Sequence, residues 1–255
     1  MNTARNNTSL ISYVGSVTGN RQDSALVQII GIVAAIVGAV LLAYIIDQLI
    51  EKVIDNLRSS VDILSRTKTA KRRDRYDGKR IVRSHNKDGI ELSYSVWMYV
   101  DDWTYKIGKW KHVFHKGGQT YGEDSPENTL IKCPGVWLDP NQNTLHIYIN
   151  TYNNPNEKVS IENFPLNKWV NVIFTIKGKI VDIFLNGEFT SRTVLSSIPR
   201  QNYGDIVISR SRGYSGYISR IKYFNYVIPY STIEDIVKLG PNRTPCADTG
   251  EYPPY

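Results

Sequence analysis

Four acidic residues, Glu123, Asp124, Glu127 and Asp139, cluster in the segment YGEDSPEN and the turn after it. Closely spaced carboxylate oxygens are what calcium takes as ligands, so these four are the calcium candidates; a solvated acidic loop would use the same residues. His112 and His115 stand three apart in a strand-like stretch, which directs their rings to opposite faces and argues against a shared metal. The two cysteines, Cys133 and Cys246, can close one long disulfide loop or remain two buried thiols. A bridge is expected, because the irregular C-terminal tail has little else to hold it. No Cys-x-x-Cys or Cys/His cluster suggests zinc. Among the five tryptophans, Trp97, Trp103, Trp110, Trp137 and Trp169, the candidates for stacking on a sugar ring are Trp103, Trp110 and Trp137; packing in a core is the competing use.

The elements that must position these groups begin with an apolar run over residues 25–46, whose only polar side chain is Gln28. Its unbroken part is Ile29, Ile30, Gly31, Ile32, Val33, Ala34, Ala35, Ile36, Val37, Gly38, Ala39, Val40, Leu41, Leu42, Ala43, Tyr44, Ile45 and Ile46. At about 1.5 Å per residue, roughly 20 such residues cross a hydrocarbon layer of about 30 Å. A cleaved signal peptide would have a shorter apolar core ending in small residues, so a retained transmembrane helix is expected. Residues 1–24 read as a flexible polar tail, with Asn6 and Asn7 each heading an N-x-S/T triplet. Beyond the span, Ile46, Ile50, Val53, Leu57, Val61 and Leu64 recur at steps of three and four. That stripe predicts an amphipathic helical stalk over 47–65. With Gly31, Ala35 and Ala39 four apart, it suggests a homo-oligomer formed through helices 25–65.

The net charge of +7 is concentrated after the membrane. Residues 66–88 read as a basic juxtamembrane linker, with Lys71, Arg72, Arg73, Arg75, Lys79, Arg80 and Arg83 placed to face anionic headgroups of the lipid bilayer. By the positive-inside rule the same charges keep the C-terminal domain on the cytosolic face. Nucleic acid is disfavoured, because only Tyr76 offers a stacking ring in this segment and the remaining chain is nearly neutral.

From residue 89 the apolar period becomes two. In IELSYSVWMYV, Ile90, Leu92, Tyr94, Val96, Met98 and Val100 share a face; in WVNVIFTI, Val170, Val172, Phe174 and Ile176 do. Asn186-Gly187 marks a hairpin. Short strands separated by Gly, Asn and Pro over 89–240 predict a mostly β protein, an antiparallel jelly-roll sandwich. A short helix over 231–239 and an irregular tail over 241–255 complete it.

The phrases SYSVWMYVDDW, GKWKHVFHKG, CPGVWLDPNQNTLHIYINT, NFPLNKWVNVIFTIKGKIVDIFLNG and GYSGYISRIKYFNYVI, in that order, resemble the laminin-G-like, concanavalin A-like jelly-roll superfamily. The likeness covers roughly residues 89–246. It is nearest to membrane-anchored versions encoded by large nucleocytoplasmic (giant) DNA viruses. The resemblance implies a minor capsid or membrane protein of the virion internal membrane that binds the overlying capsid or other virion proteins. Its alternative implication is a lectin-like protein that binds a host or virion glycan. Hydrolases of this superfamily place paired acids along one strand, since retaining chemistry needs carboxyls about 5–5.5 Å apart. No such run occurs here: Asp182 is alone in its strand, and Asp101 and Asp102 are consecutive. A non-enzymatic role with no cofactor is expected.

Overall fold

The computed structural model describes residues 7–57, 59–84, 89–119 and 124–254. They form two compact units, divided after Leu57. The first is one helix, α1 (Asn7–Leu57). Within it, Ala25–Ile50 is long and apolar enough to cross a membrane, by length and composition. Side chains such as Val27, Ile30 and Val40 are more than half exposed, an apolar surface that water does not accommodate at this extent. Residues 7–24, expected as a flexible tail, are helical: once a helix is nucleated, each further residue adds a hydrogen bond at little cost.

The second unit contains β1 (Ser60–Leu64), β2 (Lys68–Thr69), β3 (Asp74–Tyr76), β4 (Glu91–Asp102), β5 (Lys111–Gly117), β6 (Lys132–Leu138) and β7 (Thr144–Ile149). It continues with β8 (Glu157–Glu162), β9 (Trp169–Lys177), β10 (Ile180–Leu185), β11 (Glu188–Val194), β12 (Asp205–Ile208), β13 (Ser215–Phe224) and α2 (Tyr230–Leu239). All pairings are antiparallel. One sheet runs β1-β13-β4-β9-β10-β11, with β2 also on β13; the other runs β3-β12-β5-β6-β7-β8. The mostly β sandwich expected from the alternation is therefore present. In the first sheet Tyr94 lies opposite Phe174, Val96 opposite Val172 and Met98 opposite Val170, and all six are buried. Tyr94 stacks on Phe174 at 5.4 Å and reaches Phe114 of the second sheet at 5.8 Å, joining the layers. Asn186 and Gly187 form the two-residue loop between β10 and β11, both at positive φ as such a turn requires.

Three further sequence expectations need correction. The stalk over 47–65 stops being helical at Leu57: Val61 and Leu64, read as helical stripe, lie in β1 against β13, and Ile63 enters the core. V-D-I-L satisfies a period of two as well as a helical step, and pairing with β13 decides between them. The linker over 66–88 is part of the sandwich. Its β2 joins one sheet and β3 the other, and a 3-10 turn at Gly78–Arg80 is capped by the Asp77 side chain. Residues 85–88 lie outside the described residues. The third correction is the disulfide: Cys133 and Cys246 are both free thiols, buried in different surroundings. Cys133 belongs to the core between the sheets, where burial pushes its thiol up to about 12. Cys246 sits in the tail beside Tyr217.

Hydrogen bonds hold the tail instead. Thr67 Oγ1 donates to Asn242 O at 2.6 Å, and Ala247 N to Thr67 O at 2.9 Å. Trp169 Nε1 donates to Pro254 O at 2.7 Å. The helix α2 covers the same outer face through Ile233, packed with Ile173, Phe224 and Ile228. Dithiothreitol is accordingly expected to leave the thermal unfolding midpoint unchanged, whereas reducing a structural disulfide would cost about 2–5 kcal/mol. A lowered midpoint on reduction would contradict the free thiols.

Candidate functional site

The outer face of a sandwich sheet normally meets water, yet every residue of β5, β6 and β7 is buried. The inward residues Val136, Leu138, Leu145 and Ile147 belong to the core. The outward ones are His112, His115, Trp137, His146 and Tyr148, a second and polar interior. Its covering segments are tied down by two buried lysines. Lys132 Nζ donates to Thr129 O at 2.9 Å and Asn156 Oδ1 at 2.6 Å. Lys111 Nζ donates to Asp139 O and Pro140 O, both at 3.2 Å, below the Trp103 ring at 5.2 Å. Desolvation lowers both ammonium groups, Lys132 to about 8.

His112 and His115 do not point apart. A bulge between His112 and Phe114 leaves Val113 as the extra residue, so both imidazoles lie on the outward face. His112 Nε2 and His115 Nδ1 are 2.7 Å apart. Arg210 N–H donates to His112 Nδ1 at 3.0 Å, and His115 Nε2 lies 3.0 Å from Gly118 O. Only one proton arrangement satisfies all three bonds: Nε2–H on each ring, so that His112 donates to His115 and His115 donates to the carbonyl. Both rings are neutral. Burial pushes His112 well below its usual value, helped by His115 and Arg210; burial likewise brings His115 to about 4, against the opposing pull of its bond to Gly118.

Trp137 completes this interior. It is fully buried, 5.1 Å from the His112 ring, stacked on His115 at 6.0 Å and edge-on to Tyr148 at 5.7 Å. Gly135 makes the room: a Cβ there would stand 2.3 Å from the indole. Trp137 is therefore no sugar platform, contrary to the sequence expectation. Trp103 is half-buried against the core and Lys111. Of the three candidates Trp110 alone stands at the margin of the outward face, likewise half-buried, edge-on to His146 at 5.7 Å and to Tyr148 at 6.2 Å.

Beside Trp110 the polar groups line up. His146 Nε2 lies 3.2 Å from Asp139 Oδ2, and its Nδ1 2.8 Å from Ser160 Oγ. Burial opposes ionisation of Asp139, but N–H groups of Asn141 and Gln142 and the His146 ring outweigh it and hold the carboxyl below its usual range. Burial lowers His146 in spite of Asp139, so the ring is neutral at pH 7, with Nε2–H on Asp139 and Nδ1 free to accept from Ser160. Ser160 and Lys158 are exposed on β8, an edge strand. The series has the order of a nucleophilic relay, although a solvated serine on a sheet edge lacks the enclosed setting in which such relays act.

The calcium candidates do not assemble. Asp139 is committed to His146 and its own turn, Glu127 is exposed, Asp124 is half-buried and Glu123 lies outside the described residues. Among the described residues no three His, Cys, Asp or Glu side chains are grouped to hold a metal. Sequence reasoning missed the buried Lys111 and Lys132, His146 and Ser160. Nothing in their local pattern separates them from ordinary alternating polar residues of a solvated sheet.

Among solved structures, the fold is similar to the receptor-binding domain of botulinum neurotoxin D, with TM-score 0.50 and 12% identity over 71% of this chain. This chain spans 47% of that domain. A ligand-binding domain of serotype D in complex with N-acetylneuraminic acid aligns at TM-score 0.46 and 12% identity, covering 69% of this chain and 50% of that one. The binding domain of neurotoxin DC in complex with rat synaptotagmin II aligns at 0.44 and 14%, covering 61% and 37%. Identities this low speak to fold alone. Comparison with curated proteins gives no match. The Laminin_G_3 family model, described as the concanavalin A-like lectin/glucanases superfamily, matches residues 74–234, more than half of the chain. It begins at β3, inside the segment expected to be a linker. With two antiparallel sheets in place and the family pattern running through both, this chain belongs to the concanavalin A-like lectin/glucanases superfamily.

Proposed function

We propose that this chain is a non-enzymatic, membrane-anchored recognition protein whose sandwich binds a glycan at the Trp110 shoulder of the second sheet. The observation that carries this reading is the half-buried indole of Trp110 at the rim beside His146, which also meets Asp139 and Ser160. An aromatic surface flanked by a few fixed polar groups is the usual make-up of a small-ligand site. The sealed interior behind it holds those groups in place, as a preorganised site requires. Attachment to an overlying capsid follows from the sequence resemblance alone, and the geometry adds nothing to it. The glycan reading needs the sandwich on the side of the membrane where glycans are displayed. The positive-inside argument against that side weakens once residues 66–84 belong to a folded domain, because the rule weighs short flanks and not domains.

The test is a glycan array probed with the full chain in detergent. Saturable binding is expected to fall about tenfold or more in Trp110→Ala, the scale of losing one aromatic contact and its buried area. The unfolding midpoint should stay close to that of the native chain. Binding indifferent to Trp110, or none on the array, would overturn the reading. Covalent capture of Ser160 by a fluorophosphonate would replace it with acyl-transfer chemistry.

A further inference from the structure

The chain enters the sandwich at Ser59, which gives its N–H to Asn225 Oδ1 at 2.8 Å and accepts from Asn225 N at 3.1 Å. This fixes the entry at one end of both sheets. In the first sheet that end holds Ser60 paired with Phe224, Glu91 with Lys177, and Ile180 with Val194. In the second it holds Asp205 paired with Gly117, and Gly117 with Lys132. The two ends meet around a cavity of about 20 Å³, room for one water, lined by Leu92 and Tyr223 from one sheet and Lys116 and Cys133 from the other.

The entry end gathers several exposed apolar side chains. Leu130 is 63% exposed, Ile131 50%, Tyr152 69%, Val194 68%, Ile198 44% and Tyr203 71%. Val194 ends β11 and the others belong to neighbouring loops: Tyr152 N donates to Ile198 O, and Asn150 Nδ2 to Leu130 O. Exposed cations stand among them. Arg83 lies over the Tyr203 ring at 4.1 Å and Arg200 over Tyr152 at 5.4 Å; Lys79 and Arg80 are close to Arg83 in the chain, and Lys179 donates to Ser196 O. Three acids of this end are engaged: Asp205 by Arg75 and Gly78 N, Glu157 by Ser196, Glu91 by Lys177. At the opposite end, Lys71, Arg72 and Arg73 are equally exposed, but fewer large apolar side chains accompany them, Ile107 among them. The seven basic residues expected to face lipid are therefore divided between two ends of the domain, and the set containing Lys79, Arg80 and Arg83 has more apolar company.

Eight residues, 51–58, separate Ile50 at the end of the apolar span from Ser59. They reach at most about 28 Å fully extended, and about 12 Å as helix. The far end lies a further strand length away, about 40 Å for the 12 residues of β4. With the span in a bilayer, the tether keeps the entry end within reach of the lipid surface.

We propose that this entry end is a bilayer-docking surface, in which Leu130, Ile131, Tyr152, Ile198 and Tyr203 enter the headgroup region while Arg80, Arg83 and Arg200 meet lipid phosphates. Tyrosine at the polar–apolar boundary and arginine at its rim are what a membrane interface selects. The surface is separate from the Trp110 shoulder and does not depend on the glycan reading; it rests on the apolar span being embedded.

The test uses the full chain in phosphatidylcholine vesicles with and without phosphatidylserine. Environment-sensitive probes are attached to cysteines introduced as Ile198→Cys, Tyr203→Cys or Ile107→Cys; both native thiols are buried. Headgroup-borne quenchers should quench the probes at 198 and 203 but spare the probe at 107, more strongly with phosphatidylserine present. In Arg80→Gln with Arg83→Gln, the docked population should fall by about fivefold per cation, while Lys71→Gln with Arg72→Gln leaves it unchanged. Equal quenching at both ends, or none at positions 198 and 203, would overturn the proposal. So would shielding that persists in detergent at twice the protomer mass, which would identify a second copy as the occupant.

Discussion

Acidification from pH 7 to pH 4 is expected to destabilise the sandwich by about 3 kcal/mol through His115 alone, with His112 and His146 adding to it. The unfolded chain offers imidazoles of ordinary affinity, near 6.5, whereas the folded chain holds His115 at about 4. Between those values the unfolded state binds more protons, so stability rises with pH across the window and is fully present above it. The neutral state is enforced by geometry. A second proton on His112 would sit on Nδ1 and face the Arg210 N–H that now donates to it, and one on His115 would sit on Nδ1 and break the His112–His115 bond. Arg210, Arg73, Lys106 and Lys132, the charges around the pair, all act against protonation. Asp139 and Asp205, whose carboxyls are held low, lose their contribution only as pH falls below the usual carboxylate range, so the window between 4 and 6.5 belongs to the histidines. Urea titrations of the full chain in detergent at a series of pH values measure this. In His112→Asn with His115→Gln the slope across the window should flatten. An unchanged slope would mean that the pair does not carry the pH dependence.

Trp137→Ala should cost about 3–5 kcal/mol, the range for removing a buried aromatic, and should disorder the outward face together with the lysine-tethered loops above it. The indole fills the space between His112, His115 and Tyr148 over the bare backbone of Gly135, and little can collapse into its place. Trp137→Phe should cost much less. It keeps an aromatic ring and removes Trp137 Nε1, a buried donor without a partner, whose burial costs about 1–3 kcal/mol. Thermal unfolding followed by near-ultraviolet dichroism separates the two variants. A Trp137→Ala chain as stable as the native one would show that this face is not a sealed interior.

Much of the architecture was legible because it rests on local periodicity. The alternation in β4 and β9 reports which side chains face the core, and Asn186-Gly187 reports its hairpin, since few residues tolerate that turn. Where two periods fit equally well, sequence reading failed. Val61 and Leu64 continue a helical stripe as readily as Val61 and Ile63 alternate in a strand. The basic segment read as a linker because its charges hid the pairing partners that β2 and β3 find far along the chain. The expected disulfide was inferred from a tail with nothing to hold it, and the structure supplies Thr67, Thr69 and Trp169 as its anchors.

By itself the amino-acid sequence determined an apolar span of membrane length and an antiparallel sandwich, because both follow from the spacing of apolar side chains along the chain. Only the tertiary structure decided what the polar side chains do. A bulge in β5 between His112 and Phe114 turns His112 and His115 to the same face, loops from distant positions seal Trp137 beneath them, and Trp110 remains at the rim. Burial and pairing between residues far apart in the chain depend on which strands become neighbours, and no local pattern encodes that.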